Sequence, residues 1–225
     1  MSSRPPRPGH EHAVRQVLSG DARHVAPLVL GAVLTHNSPE GAVSVRITGV
    51  EAYLGPHDSP HPDPGSHTFR GQTGRNKPMF GPAGHLYVYF TYGMHYCANI
   101  VCGPPGTASA LLLRGGEIVG GEELARARRP TSKSSKDLAS GPARLATALG
   151  LTTADSGRDA LGEPFRLELP VARARDISTG PRVGVSGAGG SHAYPWRFWL
   201  TGDPTVSRYK AAKVRPDRPE AAPGS

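Results

Sequence analysis

Alternating apolar and polar residues predict a β-strand over 43–53, which ends at the turn-forming pair Gly55-Pro56. With a period of two residues, one face of this strand carries Val43, Val45, Ile47, Gly49, Glu51 and Tyr53. A carboxylate and a phenol then point the same way at the end of the strand, which indicates a lined pocket. A glutamate at a strand edge can equally face water, because glutamate is rarely buried without a partner. The rest of the chain has to decide between the two interpretations.

Helical and strand-like patterns follow one another along the remaining chain. Apolar residues at helical spacing predict a helix over 24–34 with Asp21 as its cap. Further strands are predicted at 85–91, 95–102, 108–113, 182–186 and 197–201, and further helices at 121–129 and 142–149. Residues 55–84 form a long connection rich in Gly, Pro and His, and a connection of this length in a compact domain is usually functional or disordered. The pattern predicts an α+β fold with a mostly antiparallel sheet.

The two ends of the chain differ in composition from its middle. Residues 1–12 are polar and rich in Pro, and residues 208–225 are basic with Pro and Gly, so neither segment can bury enough apolar surface to fold alone. We expect a disordered N-terminal arm over 1–12, a single domain over 13–207 and a basic disordered tail over 208–225.

The net charge of +8 over 225 residues favours a polyanionic partner, of which nucleic acid is the commonest. The sequence contains no apolar run of about 20 residues and no signal peptide at its N-terminus, so we expect a soluble, cytoplasmic protein that does not contact membranes. Cys97 and Cys102 are the only cysteines, and we expect both to be small buried residues in a reducing compartment.

Aromatic residues concentrate in the segment LYVYFTYGMHYCANIV, over 86–101. Tyr87, Tyr89 and Thr91 share one face of the predicted strand, and this face can be an ordinary sheet core or a surface on which a planar ligand stacks. Tyr92 and Met94 flank the glycine of a tight turn, where they can wedge between stacked bases.

Metal and cofactor sites are not predicted. The histidines at 57, 61 and 67 lack the spacing of a chelating helix, and no cysteine accompanies them. The Gly-rich stretch at 184–190 does not follow the strand-to-helix pattern of a nucleotide site. Lys77, Lys133 and Lys136 lie in basic, loop-like surroundings rather than in an apolar pocket, so we expect no Schiff-base chemistry.

Several sequence blocks together resemble the mammalian-type alkyladenine, or 3-methyladenine, DNA glycosylases. They are RITGVEAYLGP at 46–56, SHTFRGQTGRN at 66–76, MFGPAGHLYVYFTYGMHYCANIVC at 79–102, ALLLRGGE at 110–117, SGPARLATALGL at 140–151, and RVGV followed by PWRFWLTGDPTVS. The resemblance implies a single domain with a curved antiparallel sheet and no metal. It also implies a monomeric, nucleoid-associated base-excision enzyme that acts on duplex DNA.

The resemblance also implies roles for individual residues. Glu51 resembles the general base that activates water for attack at the sugar C1′, and Arg114 and the backbone carbonyl of Val183 resemble its partners. The residues that resemble the base pocket are Tyr53, His67 and Tyr89, which sandwich the base, and Asn99, which excludes the amino group of guanine. Those that resemble the DNA-facing surface are Tyr92, inserted into the duplex, and Met94 and His95 in the minor groove. We expect the phosphates to be held by Arg70, Arg75, Lys77, Gly184 and the basic stretch over 126–136.

The predicted activity is therefore monofunctional hydrolysis of the glycosidic bond of alkylated or deaminated purines. One alternative is a non-catalytic nucleic-acid-binding module with the same fold, which would gain nothing from a carboxylate that faces DNA. A sugar-processing glycosidase would need a second carboxylate. Asp58 and Asp63 lie nearby in the sequence, and we expect both to be solvated.

Overall fold

The computed structural model describes residues 9–212, so residues 1–8 of the predicted arm and 213–225 of the predicted tail lie outside the described residues. The described chain forms one α+β domain, in which an eight-stranded antiparallel sheet curls into a half-barrel and four α-helices pack against it. The predicted fold class is confirmed.

The strands are β1 (Val33–Ser38), β2 (Gly41–Tyr53), β3 (Leu86–Thr91), β4 (His95–Val101), β5 (Ala110–Gly120), β6 (Phe165–Glu168), β7 (Ile177–Gly180) and β8 (Arg197–Leu200). The main path through the sheet runs β3-β4-β5-β2-β1-β6. Strand β2 is the branch point, because β5 pairs with one of its edges while β1 and then β8 pair with successive halves of the other. The end of β2 is thereby held between β5 and β8.

The helices are α1 (His10–Leu18), α2 (Ala22–Val29), α3 (Glu122–Arg128) and α4 (Pro142–Leu149). Helix α1 begins inside the segment that was predicted as a disordered arm. The side chain of Asp21 accepts a hydrogen bond from the amide of Arg23, as expected of a cap, but the predicted extension of this helix to residue 34 is wrong. The chain becomes extended at Leu30 and turns at Gly31, which has a φ of 88°, before β1 begins.

The predicted strand over 182–186 is also wrong. Strand β7 lies earlier in the chain, and the loop after it has no regular structure over 181–187. Strands β6 and β7 were not predicted; each has four residues, and its position depends on the neighbours with which it pairs.

Two apolar clusters lie on opposite faces of the sheet. The larger one packs α1, α2 and α4 against residues such as Leu34, Val45 and Leu113. The smaller cluster contains Met79, Tyr87, Val101 and Ala110, with Tyr53 and Tyr89 packed against it. The 55–84 connection contributes Met79 to this second cluster, so it forms part of the wall on that side of the sheet.

Candidate active site

Glu51 lies near the end of β2 with its carboxylate fully buried. Its Oε1 accepts a hydrogen bond of 2.8 Å from the backbone amide of Val183, and its Oε2 accepts one of 3.0 Å from the hydroxyl of Tyr53. The Nε of Arg114 lies 3.5 Å from Oε1. Burial of a carboxylate is costly unless it is paired and hydrogen-bonded, and these three groups provide the compensation. Glu51 is therefore not the solvated strand-edge residue that the sequence alone allowed.

A double irregularity in the sheet directs this carboxylate away from the main core. Thr48 is an extra residue in β2 opposite Gly115 and Gly116, and Arg114 is an extra residue in β5 one step further on. As a result, Ile47 and Val50 both face the main core, and Glu51 lies on the opposite face. The prediction that Glu51 shares a face with Val43, Val45 and Ile47 is wrong for this reason.

A cavity of about 530 Å³ opens above Glu51. It is lined by all of the residues that were predicted as catalytic or base-binding, namely Glu51, Tyr53, His67, Tyr89, Asn99, Arg114 and Val183. The structure thus brings together side chains from four strands and two loops. Further wall residues that the sequence analysis did not assign to the site are Met79, Tyr87, Cys97, Leu112 and Lys210.

Aromatic rings form one wall of the cavity. The rings of His67 and Tyr89 meet edge to face with centroids 4.6 Å apart, and those of Tyr87 and Tyr89 lie 5.3 Å apart. Burial raises the pKa of Tyr89 and of Tyr53, and the charge of Glu51 raises that of Tyr53 further, so both phenols keep their protons at neutral pH. Desolvation and the charge of Arg75 lower the pKa of His67, so its imidazole is neutral at pH 7.

Asn99 is buried in β4, and its side-chain amide donates a hydrogen bond of 3.0 Å to the carbonyl of Tyr87 on the neighbouring strand. This bond holds the side chain in one orientation at the cavity wall. Cys97 lies two residues earlier on the same face and is a free, buried thiol.

The turn between β3 and β4 projects apolar side chains into solvent at the mouth of the cavity. Tyr92 is 86% exposed and Met94 is 67% exposed, and His95 is exposed beside them. Tyr92 has a φ of 52° and is the one non-glycine residue with a left-handed backbone in the described part of the chain. Such a conformation costs about 1–2 kcal/mol in a residue with a Cβ. A large exposed aromatic on a strained turn is typical of a functional position.

The predicted phosphate contacts lie in two different environments. Arg70, Arg75 and Lys77 are exposed on the 55–84 connection, where Arg75 donates to the carbonyl of Phe90 at 2.9 Å. The amide of Gly184, in contrast, donates to the carbonyl of Lys210 at 3.0 Å, so the C-terminal segment already satisfies it.

The basic stretch over 126–136 carries less free charge than its sequence indicates. Arg126 pairs with Glu122 at 2.8 Å, Arg128 pairs with Glu40 at 2.7 Å, and Arg129 lies 3.7 Å from Asp137. No ion pair involves Arg70, Arg75 or Lys77 within residues 9–212. Of these three residues, Arg75 lies beside the cavity, with its Cζ 5.6 Å from the ring centre of Tyr89.

A pair of buried charged residues that was not predicted from the sequence lies behind the site. Asp63 is fully buried rather than solvated, and it binds Arg182 through two hydrogen bonds of 2.6 and 2.7 Å. Its carboxylate also accepts from the amides of Leu54 and Gly65. Desolvation opposes the charge of Arg182, but its bonds to Asp63 outweigh this and raise its pKa. The contact could not be predicted from the sequence, because Asp63 lies in a Pro-rich loop, Arg182 lies in a predicted strand, and 119 positions separate the two residues.

Residues 9–212 contain no group of three or more His, Cys, Asp or Glu side chains that could hold a metal ion. Nor does this part of the chain include a helix with the length and apolar character needed to cross a membrane.

Comparison with known proteins identifies the family. The model of the methylpurine-DNA glycosylase family matches residues 16–204. A protein of Leifsonia xyli subsp. xyli, provisionally named 3-methyladenine DNA glycosylase, is 55% identical over 200 residues, which cover 87% of this chain and 92% of the relative. Proteins with the same provisional name from Streptomyces avermitilis and Nocardia farcinica are 51% and 48% identical, over 92% and 87% of this chain and 96% and 91% of their own lengths. With its buried carboxylate at the base of an aromatic cavity, the chain therefore belongs to the methylpurine-DNA glycosylase family and is a DNA glycosylase.

Proposed function

We propose that this glycosylase excises alkylated and deaminated purines, namely 3-methyladenine, 7-methylguanine and hypoxanthine, from duplex DNA by hydrolysis alone. The observation that carries the proposal is the fully buried carboxylate of Glu51, held at the base of an aromatic cavity by Val183 and Tyr53. Names of related proteins support 3-methyladenine as one substrate.

The target base has to leave the helical stack before it can enter the cavity. Flipping costs a few kcal/mol, and the cost is lowest for a damaged or mispaired base. Tyr92, exposed at the cavity mouth, fills the space that the base vacates, and Met94 and His95 contact the minor groove beside it. Tyr53, His67 and Tyr89 then stack on the base, and an electron-rich ring attracts a cationic alkylpurine by about 0.5–2 kcal/mol.

Glu51 is the general base of the reaction. It takes a proton from water while the water oxygen bonds to C1′ of the sugar, and the C1′–N bond breaks with its electron pair leaving on the base. A cationic 3- or 7-alkylpurine then departs as a neutral molecule, and the DNA retains an abasic site. The negative charge of Glu51 also stabilises the developing oxocarbenium ion. Arg114 and the carbonyl of Val183 hold the water.

The environment of the lysine at the cavity supports a reaction that stops at the abasic site. A lyase step would require a lysine with a depressed pKa in a desolvated position. Lys210 is the one lysine that lines the cavity among the described residues, and it is exposed.

The proposal predicts the behaviour of Glu51→Gln, which keeps the size of the side chain and removes its charge. End-labelled duplex with a single hypoxanthine, and randomly methylated DNA, are incubated with each protein and then treated with alkali. Wild type should give strand breaks only after alkali, whereas Glu51→Gln should give none and still bind the lesion.

The matched control is Glu123→Gln, which makes the same chemical change at an exposed position of α3 away from the cavity. This variant should excise like wild type. Undiminished excision by Glu51→Gln would remove Glu51 from the mechanism, and breaks without alkali would contradict a reaction that stops at hydrolysis.

A further inference from the structure

Arg182 is the largest side chain with no exposed surface in the described structure. Its guanidinium forms the two bonds to Asp63 described above and also donates to the carbonyls of Ala52 and Gly189, at 3.0 and 2.7 Å. Its Cζ lies 4.5 Å from the ring centre of Tyr53 and 5.1 Å from that of Trp196. The guanidinium is thus fixed by a carboxylate, two carbonyls and two aromatic faces.

Two of these contacts, and the chain neighbour of Arg182, lead directly to Glu51. Ala52, whose carbonyl accepts from Arg182, is the residue between Glu51 and Tyr53. Tyr53, whose ring lies under the guanidinium, donates its hydroxyl to Oε2 of Glu51. Val183, the next residue after Arg182, donates its amide to Oε1. Each oxygen of the carboxylate therefore receives its hydrogen bond from a group that Arg182 contacts or adjoins.

We propose that Arg182, held by Asp63, is a positioning residue that fixes both hydrogen-bond donors to the carboxylate of Glu51. The proposal rests on the proposed function of Glu51 as general base. Arg182 itself touches neither DNA nor water in the reaction. It acts by holding the Val183 amide and the Tyr53 ring where they orient the carboxylate towards C1′.

The chemistry of the contact explains why arginine occupies this position. The planar guanidinium binds a carboxylate through two parallel hydrogen bonds and stacks on aromatic faces, and lysine can do neither in the same way. A buried ion pair is by itself weak grounds for stability, because apolar residues of similar volume often serve as well. The carboxylate of Glu51 needs donors in a defined geometry. The Arg182–Asp63 pair therefore has the function of fixing these donors, in addition to any effect on stability.

The test is the single-turnover excision rate of Arg182→Lys on a duplex with one hypoxanthine, at saturating enzyme. The dissociation constant for a duplex with a tetrahydrofuran abasic analogue is measured in parallel. We expect the rate to fall at least ~10-fold, because misplacement by about 1 Å has effects of this size or larger, and the dissociation constant to change less than ~3-fold.

A double-mutant cycle distinguishes positioning from a merely structural role. If Arg182 acts through the donors to Glu51, Tyr53→Phe should reduce the rate much less in the Arg182→Lys background than in wild type. Equal reduction in both backgrounds would overturn the proposal, and so would a wild-type rate for folded Arg182→Lys. Inactive wild type would instead contradict the proposed function.

The matched control is Arg128→Lys. Arg128 is also largely buried and is held by a carboxylate, a hydroxyl and a carbonyl, from Glu40, Ser38 and Ala148, but none of these partners contacts Glu51 or lines the cavity. The Arg128→Lys variant should excise at the wild-type rate.

If Arg182→Lys does not fold, Gly65→Ala takes its place in the same double-mutant cycle with Tyr53→Phe, because Gly65 itself lines the cavity and a loss of rate alone would not identify its cause. An added Cβ at residue 65 would clash with Nη2 of Arg182 and lie 2.8 Å from Val185, so it displaces the guanidinium without removing its charge. We expect the same loss of rate with DNA binding retained. A folded Gly65→Ala with the wild-type rate would overturn the proposal.

Discussion

Asn99 lies where we propose that one side chain limits which bases the cavity accepts. It is buried at the cavity wall, and its amide nitrogen donates a hydrogen bond to the carbonyl of Tyr87, which would have to break for the side chain to rotate away from an approaching base. A purine with an amino group directed at this position would have to displace a fixed side chain. Such steric exclusion is a common origin of specificity.

We expect Asn99→Ser to admit guanine derivatives more readily, because serine is shorter and leaves room for the exocyclic amino group. The ratio of 7-methylguanine to hypoxanthine excision, measured under single turnover, should rise about 10-fold, the range typical of a pocket altered by a few atoms. Asn37→Ser, on β1 and outside the cavity, serves as the control and should leave the ratio unchanged. An unchanged ratio in Asn99→Ser would show that another group excludes guanine.

The residues of the cavity could be predicted from sequence because they recur in short blocks that resemble a known family. The positions of Glu51, Tyr53 and Asn99 in one cavity agree with that prediction, and their roles remain to be tested. Asp63 and Arg182 could not be predicted in the same way. The burial of Asp63 depends on Arg182, a partner 119 positions away, whereas the local composition around Asp63 indicates only a loop.

At the level of elements, the site depends on two departures from regular strand structure. One is the irregular pairing of β2 with β5, which moves Glu51 to the cavity side. The alternation in the sequence could not show it, because a single extra residue reverses the face of every later side chain. The other is the β3–β4 turn. The sequence predicted this turn correctly, but it did not predict the left-handed backbone conformation of Tyr92.

This turn should show a conflict between stability and function. We expect Tyr92→Gly to be more stable than Tyr92→Ala by about 1 kcal/mol, because glycine adopts a positive φ without strain. Thermal or urea unfolding measures this difference. Both variants should lose base flipping equally, as reported by the fluorescence of 2-aminopurine placed beside the lesion.

The comparison between the two variants separates the backbone from the side chain. Equal stability of the glycine and alanine variants would show that the turn relaxes when the aromatic ring is removed. Wild-type flipping in either variant would show that Tyr92 is not the inserted residue.

At the level of the whole molecule, the net charge of +8 is distributed unevenly. The arginines of α3 are paired with acids, whereas Arg70, Arg75 and Lys77 form no ion pair within the described residues. We expect DNA to bind at these residues and to release counterions, so affinity should fall steeply as salt increases. The composition predicted the sign of this surface, but only the folded structure shows which charges are free.

We expect Lys77→Gln to reduce the slope of log K against log salt by about 0.9, the value for one lost phosphate contact with duplex DNA. Titrations in the Glu51→Gln background measure binding without turnover. Arg126→Gln, which removes an arginine already paired with Glu122, should change the slope much less. Equal effects of the two substitutions would place the DNA on a wider surface than the one predicted from Arg70, Arg75 and Lys77.

The cavity above Glu51 is lined by residues of this one domain. Its aromatic walls and its buried carboxylate are held by contacts within the protein, so a free purine needs no duplex to reach them. A base that has just been released is such a purine. Accumulated product would then compete with the next lesion, and small planar heterocycles that imitate a damaged base are a natural starting point for inhibitors.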